Sequence, residues 1–139
     1  MADVSGKTWM AIGETVDPNA VIESFEAAAA ITKGDPVYLS ADDKVSPAAA
    51  DQNCIGIATK SVSSGQPCPV LTRGRVKVKA GGAITRGKAV KGADASKRVV
   101  ALADINEGGA ATYSWTLKLG WALQTTMAAD DLLFIVVEK

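Results

Sequence analysis

Histidine is absent from the 139 residues. That gap excludes Ser-His-Asp and Cys-His catalysis, histidine-bearing zinc sites and histidine general bases. Cysteine is nearly absent. Cys54 and Cys68 are too few for a disulfide framework, and without histidine they cannot complete a structural zinc site. If Ser63-Ser64-Gly65 is a hairpin tip, Cys54 falls opposite a position near 74 and does not face Cys68, so both thiols are expected free and buried. Aromatics are few: three Trp, two Tyr and two Phe, which limits the core that one small domain can build. No apolar run approaches the roughly 20 residues of a membrane span. Met1-Ala2-Asp3-Val4 sets no basic stretch before an apolar one, so no secretory signal is expected and a reducing cytoplasm is.

Net charge is zero, yet the charges are sorted. Residues 1–72 hold four cations and nine acids, 73–98 hold nine cations and one acid, and 99–139 hold two and five. The middle block can attract an acidic partner although the whole chain cannot.

What is present is a repeat. Ala30-Ile31-Thr32-Lys33-Gly34-Asp35-Pro36-Val37 returns as Ala83-Ile84-Thr85-Arg86-Gly87-Lys88-Ala89-Val90, 53 residues on. Six of the eight positions keep the same or an equivalent residue. Ile55-Gly56-Ile57-Ala58 is echoed by Leu119-Gly120-Trp121-Ala122, 64 residues on, which puts about eleven extra residues in the second copy, most simply within Ala103–Thr116. The pattern apolar pair, Thr-cation-Gly, Val reads as strand, tight turn, strand. Gly56 inside a strand suggests a bulge or a close backbone approach.

Arg73-Gly74-Arg75-Val76-Lys77-Val78-Lys79 alternates with period two and is the clearest strand: Val76 and Val78 face one way, Arg73, Arg75, Lys77 and Lys79 the other. Leu132–Val137 reads as a last strand buried on both faces. No segment forms a long amphipathic helix. The expected fold is all-β: a compact β-barrel or sandwich of two related units, 25–80 and 81–139, with little helix and an extended N-terminal arm over residues 1–24. Within that segment Trp9, Met10 and Ile12 either grip a partner or cap the domain's own core.

Three constellations invite a chemical reading. Gly82–Ala89 nearly matches a phosphate loop, but Ala89 has no hydroxyl for magnesium and no helix follows, so the repeat explains it better. Asp42-Asp43 and Asp130-Asp131 offer paired carboxylates, which in turns act chiefly as turn formers. The strip Arg73, Arg75, Lys77, Lys79 is a solvated face, a contact for an acidic protein surface, or a grip on nucleic acid phosphates, in that order, since no stacking aromatics interleave it. No catalytic residue, cofactor site or metal site is expected.

The order Ile31-Thr32-Lys33-Gly34-Asp35-Pro36-Val37-Tyr38-Leu39, Asp43-Lys44-Val45, Ile55-Gly56-Ile57-Ala58, Val70 and Gly74-Arg75-Val76 resembles the head decoration (capsid cement) proteins of tailed phages, including the lambda type. The likeness covers about residues 25–80, and 83–137 more loosely through the repeat. The chain departs in Ala103–Thr116 and in its N-terminal segment. The resemblance implies a mainly β homotrimer on the outer surface of the virion capsid, bound to the major capsid protein after the shell expands and made in the host cytoplasm. It also implies attachment through the N-terminal arm, with Trp9, Met10 and Ile12 as contacts. Independently of the resemblance, a chain with no histidine, no metal constellation and no pocket signature is not expected to be an enzyme, and without a membrane-length apolar run no membrane partner is expected. The alternative is a nucleic-acid-binding β module using the Arg73–Lys79 strand.

Overall fold

A computed structural model describes residues 3–15, 17–49, 52–94, 97–102, 104–107, 110–113 and 117–138. The strands are β1 (Val21–Ala27), β2 (Pro36–Ala41), β3 (Lys44–Pro47), β4 (Cys54–Ala58), β5 (Pro67–Ala80), β6 (Ala89–Asp94), β7 (Arg98–Ala101), β8 (Asp104–Glu107), β9 (Ala110–Tyr113), β10 (Gly120–Ala122) and β11 (Leu132–Glu138). The described residues contain no α-helix. The fold is all-β, built on a closed five-stranded barrel.

The pairing order β1-β3-β2-β4-β5 closes on itself because β1 also pairs with β5. The 14-residue β5 then enters a second circuit, β5-β11-β10-β6-β7, closed by a β5–β7 pairing. One long strand is therefore the last strand of the first unit and the first strand of the second. The parallel closure Glu26↔Lys44, Ala27↔Val45 recurs as Lys79↔Arg98, Ala80↔Val99.

Backbone hydrogen bonds repeat in the same places. Gly34 N–H donates to Ala58 O at 2.7 Å, and Gly87 N–H to Ala122 O at 2.8 Å. Ala48 N–H donates to Pro36 O, and Leu102 N–H to Ala89 O, both at 2.8 Å. Even the irregularities match: the β2–β3 register slips between Leu39 and Ala41, the β6–β7 register between Gly92 and Asp94. The first unit starts at Val21, inside the segment expected to be an arm. The extra length of the second unit holds the two-stranded β8–β9 hairpin, where the sequence offset placed an insertion.

The glycine of each Ile-Gly-Ile-Ala-like stretch has a steric reason. A Cβ on Gly56 would lie 2.2 Å from Leu71 O, and one on Gly120 would lie 1.8 Å from Val136 O. Only glycine lets β4 and β10 approach the following strand so closely.

Each unit fills its interior from equivalent positions. Ala27, Ile31, Val37, Val45, Ala58, Cys68 and Val70 pack in the first. Ala80, Ile84, Val90, Val99, Ala122, Leu133 and Ile135 take their places in the second. The second cluster is the larger, since Val76 and Val78 extend it and Cys54, Ile57 and Leu71 join from the outer side of the first. Both cysteines are buried and neither is in a disulfide, and burial pushes the Cys68 thiol up from its ordinary range.

Candidate functional site

The site begins with β5, where alternation turns Val76 and Val78 into the second barrel. The opposite face does not form a continuous cationic strip. Arg73 is exposed, Arg75 is half-buried with its guanidinium 5.4 Å from the Phe134 ring centre, and Lys79 is half-buried. Lys77 is wholly buried. The period-two reading predicts which way Lys77 points, but not what covers it.

The cover is the N-terminal segment. Asp3 bridges to Leu132 of β11, and Val4 N–H donates to Leu132 O at 2.8 Å. Farther on, Gly13 N–H donates to Lys77 O at 2.8 Å and Lys77 N–H to Glu14 O at 3.2 Å. The residues between arch over the Lys77 side chain. Its ammonium donates to the Asp3 carboxylate, to Lys7 O at 3.0 Å and to Met10 O at 2.9 Å. Three N–H donors meet three acceptors, which is what a buried lysine needs. Burial raises the Asp3 pKa, but hydrogen bonds from Lys77 and Ser5, with the nearby ammonium charge, outweigh it and hold the carboxyl below its ordinary range.

The far end of the segment is tied to the first unit. Lys33 Nζ lies 3.1 Å from Glu14 Oε1, and the hydrogen bond holds the exposed Glu14 carboxyl below its usual range. Gly34 sits at φ 95° with Ile12 against it, and a Cβ there would fall 2.4 Å from Ile12 Cγ2. Residues 3–14 are laid across the domain, where they supply partners to Lys77 and to the β5 edge. Of the three expected anchors, Met10 is buried at 5%, Ile12 is half-buried, and Trp9 stands out at 74% exposure with Lys7 Nζ 6.0 Å from its ring centre. Other large apolar side chains at the surface are Met127 at 82%, Ile22, Leu39 and Val21. Met127 and Leu39 fall on turns and strands that no sequence pattern marks as contact surface.

Asp42 and Asp43 are exposed in the β2–β3 turn. Asp130 pairs with Arg98 at 2.7 Å, and the buried Asp131 carboxylate accepts from Met127 and Ala128 N–H at 3.1 Å. Among the described residues, no group of three or more His, Cys, Asp and Glu is placed to hold a metal ion.

A family model described as XM1 gp53 minor capsid protein matches residues 11–137. The chain belongs to that minor capsid protein family. It is a capsid-associated structural protein of a phage, and the family is not one of enzymes. Among solved structures, the head fibre gp8.5 N base of bacteriophage phi29 is similar at a TM-score of 0.58 and 20% identity, over 86% of this chain and 94% of that one. At that identity the likeness speaks for the fold of this capsid-family chain. Among curated proteins, none matches its sequence.

Proposed function

We propose that the protein is a head decoration, or cement, protein: it binds the outer surface of an expanded phage capsid through the major capsid protein and stabilises the shell. It does so as a homotrimer in the virion, after synthesis in the host cytoplasm. The observation that carries this reading is the minor capsid family match across residues 11–137. The surface supports it. Trp9 and Met127 are apolar side chains left in water, of the kinds that anchor protein interfaces. Three copies of a modest contact on a repeating lattice give high avidity. Burial of Lys77 interrupts the basic strip and weighs against the nucleic-acid alternative.

Purified protein mixed with expanded, undecorated capsids should co-sediment, saturate at a fixed ratio and raise the temperature at which the shells open. Sizing in solution should give three copies. Absence of binding to capsids in every expansion state would overturn the proposal.

A further inference from the structure

The repeat makes a comparison within one chain that points to a second docking place. On the second unit, the N-terminal segment occupies the edge of β5 at Lys77 and the start of β11 at Leu132. The equivalent residues of the first unit follow from the registers: Ser24 pairs with Pro69 as Lys77 pairs with Phe134, and Glu26 pairs with Pro67 as Lys79 pairs with Leu132. Pro69 O is taken by Thr59 N–H, as Phe134 O is by Leu123 N–H. Ser24 and Lys77 therefore both turn their backbone N–H and C=O away from the paired strand. At Lys77 those groups meet Glu14 and Gly13. The β1–β3 pairing covers Glu26 and Ala27 and stops short of Ser24, and an open cavity of about 440 Å³ lies there, lined by Ser24, Glu26, Asp42, Asp43, Gly65 and Pro67. The cavity thus touches the counterparts of both places where the N-terminal segment is held.

We propose that this open edge of β1 receives an extended, lysine- or arginine-bearing segment of the major capsid protein, which completes the first unit as the chain's own N-terminal segment completes the second. The capsid source rests on the function proposed above. An extended segment adds to such an edge through main-chain hydrogen bonds, with side-chain chemistry setting the choice. Here the chemistry is acidic. Glu23, Glu26, Asp42 and Asp43 are all exposed around the edge, and Lys44, paired with Glu26 at 3.3 Å, is the cation among them. On the second unit the charges are reversed: the domain supplies Lys77 and the segment supplies Asp3. Another copy's segment 3–14 sets Asp3 and Glu14 against Lys7, a net acidic balance mismatched to the acidic edge. A cationic segment matches it.

The test uses full-length protein on expanded capsids, with two variants. Asp42→Lys with Asp43→Lys reverses the edge charge. Lys97 already holds the backbone conformation of Asp43 in the second unit, at φ 68° against 56°, so lysine fits that turn. A photo-crosslinking side chain at position 24 reports what lands there. The inference expects at least tenfold weaker capsid binding by the reversed variant at an unchanged melting temperature, and a crosslink from position 24 to a lysine- or arginine-containing segment of the capsid protein. If wild type binds capsids but the reversed variant binds within twofold of it, or position 24 crosslinks to another copy of this chain, the inference is overturned and the capsid-binding reading stands. If wild type itself fails to bind, both are overturned.

Discussion

The two units share a strand order and, apart from the β8–β9 hairpin of the second, differ most at one strand edge. In the second, Val76 and Lys77 are fully buried. In the first, their counterparts Glu23 and Ser24 are exposed. The strand registers around them are the same, so pairing geometry does not decide whether the edge is covered. Side-chain chemistry does. A lysine at position 77 buried without partners would be costly, and the segment that satisfies it also closes the strand edge. Serine at position 24 makes no such demand, and its edge stays open. Duplication thus supplies a matched pair of edges, one sealed internally and one left for another chain.

The largest effect is expected at the glycines that let each unit close. Gly120→Ala drives a Cβ into Val136 O and should cost about 4 kcal/mol or prevent folding, with Gly56→Ala close behind, because backbone carbonyls cannot step aside as a side-chain tip can. Chemical denaturation of both variants checks this. Next comes the divergent pair. Lys77→Ala strips the ammonium from the Asp3 carboxylate, which keeps its Ser5 donors, and from two carbonyls, and should cost about 3 kcal/mol. Ser24→Ala at the matching position should stay within about 0.5 kcal/mol. Equal effects would mean that the two edges are not distinguished as described.

The interiors offer a third contrast. Leu133→Ala should cost about 3 kcal/mol, while Cys68→Ala, which removes a smaller group from the equivalent place, should cost about 1 kcal/mol. The smallest effect concerns pH. The Asp3 carboxyl titrates lower in the folded state than in the unfolded chain. Its stabilisation is therefore complete above the unfolded aspartate value of about 4 and is lost as pH falls through the lower folded value. Proteolysis of the N-terminal segment at graded pH should show it loosening on the acid side of about 4, and Asp3→Asn should flatten that profile.

Much of the architecture was legible in the sequence because the repeat lies in turn and strand residues whose roles are local. Gly34 with Gly87, and Gly56 with Gly120, mark where turns tighten and strands approach. Alternation over Arg73–Lys79 gave the orientation of β5, since period two reports which face a side chain takes. It could not report that both faces of one stretch are covered. Coverage of Lys77 comes from residues 3–14, about seventy positions away, and no local pattern encodes that contact. The same distance explains the mixed fate of Trp9, Met10 and Ile12. Three neighbouring apolar residues look alike in sequence, yet the arch over Lys77 turns Met10 inward and Trp9 outward. The open edge at Ser24 was invisible because it is defined by comparison with its counterpart, which needs the register of both units.

The most direct test is a reconstruction of phage particles carrying this protein, at a resolution that traces the chain. Three copies are expected clustered on the outside of the shell, with the β1 edge at Ser24 against a segment of the major capsid protein and residues 3–14 still folded over Lys77. Density on the inner face of the shell, or an outer position with the Ser24 edge turned toward solvent, would contradict that expectation.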